Sequence, residues 1–423
     1  MQKKLLGMAV ATALTAPAVA LAQVQVYGTA NVTLNSTKYS DSTGGTGSVS
    51  KIAVNSHSSN FGFRSSETLG GGMTGWVQYE FNTQLERNND MVSGNGTPRN
   101  SAIGLRGNFG NFYLGTWETP YTSTFRMWDV GTVGGYGPST SVAYRRESTG
   151  SAPSRNCNNA IPSAAGGVVN TPTTICYAAD GGGGGQGVPS GYALWRRYGS
   201  GVFYDSPTFS GFQFRLGYQP NESKSVASAE LASVGLGGTA VVAENPSSWS
   251  SSLTWTGMGG KARAFVANMS NKDWSSIGAT DSGYTAGGGF DFGVVNIGVY
   301  YETFKYKPTA GEEKAKGYGI GFAIPIGSGK IAGSYAIQKD FTGAGCDAAA
   351  SLGCDNGGKM YDIGYEWNLS KRTVVSFGYA AIKNDNNAAF TWTGMAPNQT
   401  GYNVGALNGS DPSNIFVGLR HSF

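Results

Sequence analysis

The chain is 423 residues long, with 66 Gly, 22 Tyr, 20 Phe and 9 Trp but only 13% charged residues, against about 25% in ordinary soluble domains. Such a composition suits long β-strands with one apolar face and suits poorly the charged surface that keeps a soluble protein dispersed. The 30 basic and 26 acidic residues leave a net charge of +4, from which no nucleic-acid footprint follows.

The first segment reads as a secretory leader. "MQKK" is a positive start, "LLGMAVATALTAPAVALA" an apolar stretch, and Ala20-Leu21-Ala22 a small-x-small cleavage signature before Gln23. Pro17 interrupts the apolar run, which weakens a membrane-anchor reading. The expected division is a cleaved leader over 1–22 and one domain over 23–423. Lys3 and Lys4 belong to the leader, so the remaining net charge is +2. No later apolar run reaches the roughly 20 residues of a membrane helix.

What recurs instead is alternation. After a first strand predicted over "VQVYGTANVTL", from Val24 to Leu34, the stretch "GWVQYEFNTQ" sets Val77, Tyr79 and Phe81 against Gln78, Glu80 and Asn82. "FQFRLGYQ" opposes Phe212, Phe214, Leu216 and Tyr218 to Gln213, Arg215 and Gln219. The pattern returns with Trp249, Leu253 and Trp255, with Tyr318, Ile320, Phe322 and Ile324, and with Tyr361, Ile363, Tyr365 and Trp367. Finally "NIFVGLRHSF" places Ile415, Val417, Leu419 and His421 on one face and Phe416, Gly418, Arg420 and Ser422 on the other.

A soluble sandwich alternates in the same way, but the connections here alternate between tight turns and longer loops. The tight turns begin near Leu69, Gly107, Ser206, Gly257, Asp291, Gly327 and Leu369, and the longest loop runs from about Glu118 to Tyr192. Pairing strands across these turns predicts an all-β fold, a closed antiparallel barrel of about sixteen strands in an outer membrane. Closure requires the last strand to pair with the first, with Phe423 ending the lipid-facing row. Trp and Tyr residues are assigned to the lipid-interface girdle.

Four cysteines form two close pairs, Cys157 with Cys176 and Cys346 with Cys354, expected as disulfides tying off Gly-rich loops in an oxidising compartment. The two histidines, His57 beside a loop and His421 on the lipid face, leave little for a Ser-His-Asp arrangement. "GGGGGQG" at Gly181 lacks the Lys-Ser/Thr of a phosphate loop. Neither a cofactor nor a metal is expected.

Several blocks resemble one family. "SSNFGFRSSETLGGGMTGWVQYEFN" is similar to its second hairpin, "RNSAIGLRGNFGNFYLGTWETPY" to the strand pair before its constriction loop, "RYGSGVFYDSPTFSGF" to the pair after it, and "VGLRHSF" to its closing strand. The family is the trimeric general porins of Gram-negative bacteria, above all the beta-proteobacterial branch. The resemblance implies a homotrimer among outer-membrane lipid and lipopolysaccharide, a third long loop folded into the barrel, and a terminal Phe423 read by the outer-membrane insertion machinery. The chain departs from the pattern at Thr116, where many relatives carry a basic residue, and in a larger third loop with its own cysteine pair.

A channel breaks no bonds, so its functional residues line the narrowest part of the lumen. By alternation Arg64, Arg106, Arg197, Arg215 and Arg420 share the polar face, and Glu80, Glu302, Asp362 and Glu366 face inward on other strands. The implied inward loop sets Glu118 and Asp129 opposite Arg64, Arg106, Arg197 and Arg215 across the pore. The expected function is passive diffusion of ions and small hydrophilic solutes with weak anion preference. A solute-specific channel and a surface adhesin are the alternatives.

Overall fold

In the computed structural model the described residues are 24–40, 48–86, 99–140, 197–220, 247–272, 278–307, 312–340, 342–343, 355, 357–386, 388, 390, 392 and 409–423. The expected leader over 1–22 and all four cysteines lie outside them. No described helix is long and apolar enough to cross a membrane; the chain crosses with strands.

In chain order the strands are β1 (Gln25–Tyr39), β2 (Val49–Ser56 continued by Asn60–Gly70), β3 (Met73–Asn82), β4 (Ser101–Gly107), β5 (Gly110–Glu118), β6 (Arg197–Asp205), β7 (Phe212–Gln219) and β8 (Ser247–Gly257). They continue as β9 (Ala262–Lys272), β10 (Thr280–Asp291), β11 (Asn296–Tyr306), β12 (Glu313–Ile326), β13 (Gly329–Gln338 continued by Thr342–Gly343), β14 (Gly358–Asn368), β15 (Thr373–Asn384) and β16 (Pro412–Ser422). Each pairs antiparallel with its neighbours, and β16 returns to β1, so sixteen strands close without an edge. The seven tight turns fall where the sequence places them. In the first, Gly70, Gly71 and Gly72 all have positive φ (85°, 58° and 75°), a region open to glycine and strained for side chains with a Cβ.

The closing register runs from Thr29 opposite Ser422 to Tyr39 opposite Pro412. Phe423 extends it: its N–H donates to Gly28 O at 3.0 Å, and Gly28 N–H donates to Phe423 O at 3.2 Å. A Cβ on Gly28 would lie 2.6 Å from both Phe423 Cζ and the Asn60 carbonyl oxygen, so the glycine lets the ring and the neighbouring strand both close in. Gly28→Val is therefore expected to unseat Phe423 and lower the yield of heat-resistant barrel on semi-native gels. An unchanged yield would show that the ring contact is dispensable.

β2 breaks at His57-Ser58-Ser59, with Ser58 at φ 53°. Ser59 fills the resulting gap in the ladder: its Oγ accepts from Asn31 N at 2.9 Å and donates to Asn31 O at 3.1 Å. An interruption of this kind re-aims side chains, and here it switches the inward set from the odd residues Asn55 and His57 to the even residues Gly62 and Arg64.

Alternation sorts the two walls. Outside, Val26, Leu34, Ile103, Leu253, Ile363 and Val417 are exposed, as a lipid-facing belt requires. Inside, Asn31, Thr33, Asn35 and Thr37 are buried beneath chain that has entered the lumen. Pro120 opens the short helix α1 (Pro120–Ser123), whose N-cap Thr119 accepts from Thr122 N. A tight helical turn over Thr124–Met127 follows. The segment then passes along β9 to β14 and ends with Tyr136 against β1, where its hydroxyl donates to Asn35 Oδ1 at 2.6 Å.

This passage gives the barrel two internal apolar cores. One joins Tyr121 and Trp128 of the loop to Tyr113, Tyr198, Phe203 and Tyr300 of the wall. The other joins Val133 and Tyr136 to Met360, Phe390, Trp392 and Phe416. The girdle assignment therefore needs correction. Trp249 and Trp367 face outward, but Trp76, Tyr113, Trp117, Trp128 and Tyr198 pack inside, because a loop lying on the inner wall needs an apolar seat.

Candidate pore constriction

The loop can lie flat only where the wall lacks side chains. Gly289, Gly298 and Gly321 occupy inward positions on β10, β11 and β12 and are register partners, Gly289 opposite Gly298 and Gly298 opposite Gly321. A Cβ on Gly298 would stand 1.8 Å from the Trp128 carbonyl oxygen, one on Gly321 3.1 Å from Gly131 N, and one on Gly364 of β14 2.9 Å from Val133 Cγ1. The glycines form a lane in which loop backbone rests on wall backbone. Beyond the lane His57 meets the loop at Tyr136: its Nε2 lies 2.7 Å from Thr33 Oγ1, and its ring meets Tyr136 edge-on at 4.7 Å.

The root of the loop carries a compact charge network. Glu118, 6% exposed, pairs with Arg126, whose side chain is 53% exposed and whose guanidinium lies 4.5 Å from the Phe125 ring centroid. Arg197 stands opposite Glu118 in the register and donates from Nε to Asn100 Oδ1 at 3.0 Å. Glu80 pairs with Arg99 at 2.6 Å and accepts from the Tyr27 hydroxyl at 3.1 Å. Three arginines thus gather about two carboxylates, and Arg126 is the most exposed of the three.

The other expected residues separate from this cluster. Arg215 pairs with Asp205 at 2.8 Å and donates to Ser123 Oγ of α1 at 2.7 Å. Arg106 lies beside the tight turn, opposite Asn111, at the end of β5 away from Glu118. Arg64 is the exception: it donates to Gln25 Oε1 at 2.9 Å and lies 5.2 Å from the ring centroid of Tyr27, whose hydroxyl serves Glu80. Asp129 is folded into its own loop, accepting from Thr132 Oγ1 at 2.9 Å and Thr132 N at 3.3 Å, and burial raises its carboxyl. Among the described residues it makes no ion pair with an arginine. The structure therefore brings Glu80, Glu118 and Arg197 together, with Arg64 beside them on the Tyr27 ring, and leaves Arg106, Arg215 and Asp129 elsewhere. Alternation fixes which wall a side chain faces, not its height along the pore.

The remaining inward carboxylates hold structure. Glu302 accepts from Tyr121 OH at 3.2 Å, Asp362 accepts from Ser334 Oγ, and Glu366 is shared by Lys330 at 3.5 Å and Arg420 at 3.8 Å. Sequence reasoning passed over Arg99, Arg126 and the glycine lane. The signal for the lane was present as glycines recurring at inward positions on successive strands.

A closed barrel with an apolar outer belt, a polar inner wall and a loop laid across its interior is a transmembrane channel of the outer-membrane type. The chain belongs to the Gram-negative porin family, whose model matches residues 8–387. It resides in the outer membrane and forms a general diffusion channel. Outer membrane porin protein 32 of Delftia acidovorans is 25% identical over 435 residues, spanning 100% of both chains. An outer membrane porin of Bordetella pertussis is 25% identical over 259 residues, 54% of this chain and 58% of that one. In fold, the anion-selective porin from Comamonas acidovorans superposes with a TM-score of 0.66 at 20% identity, covering 95% of this chain and 100% of that one.

Proposed function

We propose that this porin is a weakly anion-selective, non-enzymatic channel that works as a homotrimer, exported by its 1–22 leader and inserted by machinery that reads Phe423. Lipopolysaccharide surrounds it, and the pairs Cys157–Cys176 and Cys346–Cys354 close its outer loops. The observation that carries the selectivity is the loop root, where Arg99, Arg126 and Arg197 outnumber Glu80 and Glu118 and the exposed member is Arg126. Two namings among the relatives support the reading: the Comamonas structure is called anion-selective, and one Vibrio cholerae OmpT structure is a trimer form.

Reversal potentials in a KCl gradient test it. The Debye length is about 30 Å at 0.01 M and about 3 Å at 1 M, so the chloride preference should be clearest in dilute salt and fade in concentrated salt. A preference for potassium would overturn it. Liposome swelling with neutral sugars should show a cutoff by size alone, whereas one favoured sugar would favour a solute-specific channel. Sizing in mild detergent should give trimers, and monomers alone would remove that part of the proposal.

A further inference from the structure

The cations that the loop root leaves out share a different place. Arg106 faces Thr74 near the start of β3. Arg215 faces Asp205, the last residue of β6, while Arg263 and Lys330 are each the second residue of their strands, β9 and β13. Arg420 faces Val374, the second residue of β15. All five lie on the inner wall at the tight-turn end, which in such barrels is the periplasmic end. The carboxylates on the same stretch of wall are Asp205, Asp291 and Glu366, of which Asp205 and Glu366 are ion-paired with cations of the collar while Asp291 keeps its charge. Asp205 is bound to Arg215, Asp291 accepts from Gly293 N at 2.8 Å within its turn, and Glu366 serves Lys330 and Arg420 together. Arg106 is exposed and makes no ion pair among the described residues. Lys261, Lys371 and Arg372 add charge of the same sign in the adjoining turns.

We propose that this basic collar is a second selectivity element, an anion-collecting vestibule at the periplasmic mouth, separate from the loop root and able to make anion permeation depend on direction. It rests on the anion preference proposed above. Fixed charge at one mouth enriches counter-ions there only while the adjoining bath is dilute, because concentrated salt screens it within a few ångströms. Small inorganic and carboxylate anions are the ligands that such a water-filled, unsaturated ring attracts. It needs no bound partner and no movement of the loop.

The test is electrical and uses the complete channel, inserted in one direction in a planar bilayer. Chloride-to-potassium permeability ratios are measured with 0.01 M KCl on the periplasmic side and then on the outer side. The native channel should show the larger ratio when the periplasmic mouth faces the dilute bath. The triple variant Arg106→Gln/Arg263→Gln/Lys330→Gln should lose that asymmetry, with the ratio in the favourable orientation falling roughly twofold for each charge removed near the ion path. Arg126→Gln, at the loop root, should lower the ratio in both orientations alike. Equal ratios in the two orientations for the native channel, or a triple variant that keeps the asymmetry, would overturn the collar while leaving the anion preference standing. A native channel that prefers potassium would overturn that preference and the collar with it. The native comparison needs no variant to fold, so it decides alone if the triple variant fails to insert.

Discussion

Gly298→Val is expected to produce the largest structural effect, lifting the inward loop from the wall and changing the pore it shapes. The obstacle is backbone against backbone: the new Cβ would begin 1.8 Å from the Trp128 carbonyl oxygen, and no rotamer change relieves such an overlap. Overpacking usually costs about 1–3 kcal/mol, and a clash with a main-chain atom belongs at or beyond the upper end. The Trp128 ring is stacked on Tyr300 at 4.0 Å and fully buried, so displacement of its backbone propagates into the first internal core. Single-channel recordings should show an altered and broadened conductance, and the barrel should melt at lower temperature. Gly75→Ala is the matched control, because its Cβ would find only Leu69 Cδ1 at 3.4 Å. Native conductance in Gly298→Val would mean that the loop does not shape the conducting path.

Arg126→Glu is expected to have the largest effect on ion preference. Arg126 is half-exposed above a nearly buried Glu118, so the substitution replaces an ion pair by two neighbouring carboxylates and changes the local charge by two units. In water one unit charge about 8 Å from a permeating ion is worth roughly 0.5 kcal/mol before screening, so two units amount to about 1 kcal/mol, roughly a fivefold change in permeability ratio. A weak anion preference cannot survive a change of that size, and the channel should pass potassium preferentially in dilute salt. Glu118→Gln should move the ratio the other way by relieving Arg126 of its partner. Arg197 remains beside Glu118 in the Arg126 variant, which protects the buried carboxylate and the fold. If Arg126→Glu still prefers chloride, the loop root does not set selectivity.

Strand number, closure and facing were legible because they depend on local chemistry. A period-2 pattern written in Tyr361, Ile363, Tyr365 and Trp367 states which side meets lipid, and seven short turns against longer loops state how the strands connect. Phe423, opposite the first strand, follows from the absence of a free edge in a closed barrel. All of this is sequence-local information read along a single chain, and no distant contact is needed to obtain it.

Height along the pore and the partner of each charge were decided only in three dimensions. Arg106 and Glu118 lie twelve positions apart and are joined by one hairpin, yet they sit at its opposite ends. Glu118 and Arg126 are united instead by a turn of loop inside the lumen. Asp129 was expected to face arginines across water but is consumed by Thr132, because a short polar side chain in a tight turn satisfies its own backbone first. His57 and Phe416 gained an apolar neighbour, Tyr136, that no strand pattern announces. By itself the sequence determined a closed barrel with an apolar outside and a polar inside, since alternation is a property of each strand. Where the loop crosses, and so which charges face the open lumen, was decided by the tertiary structure, since it depends on glycines of several strands meeting at one height.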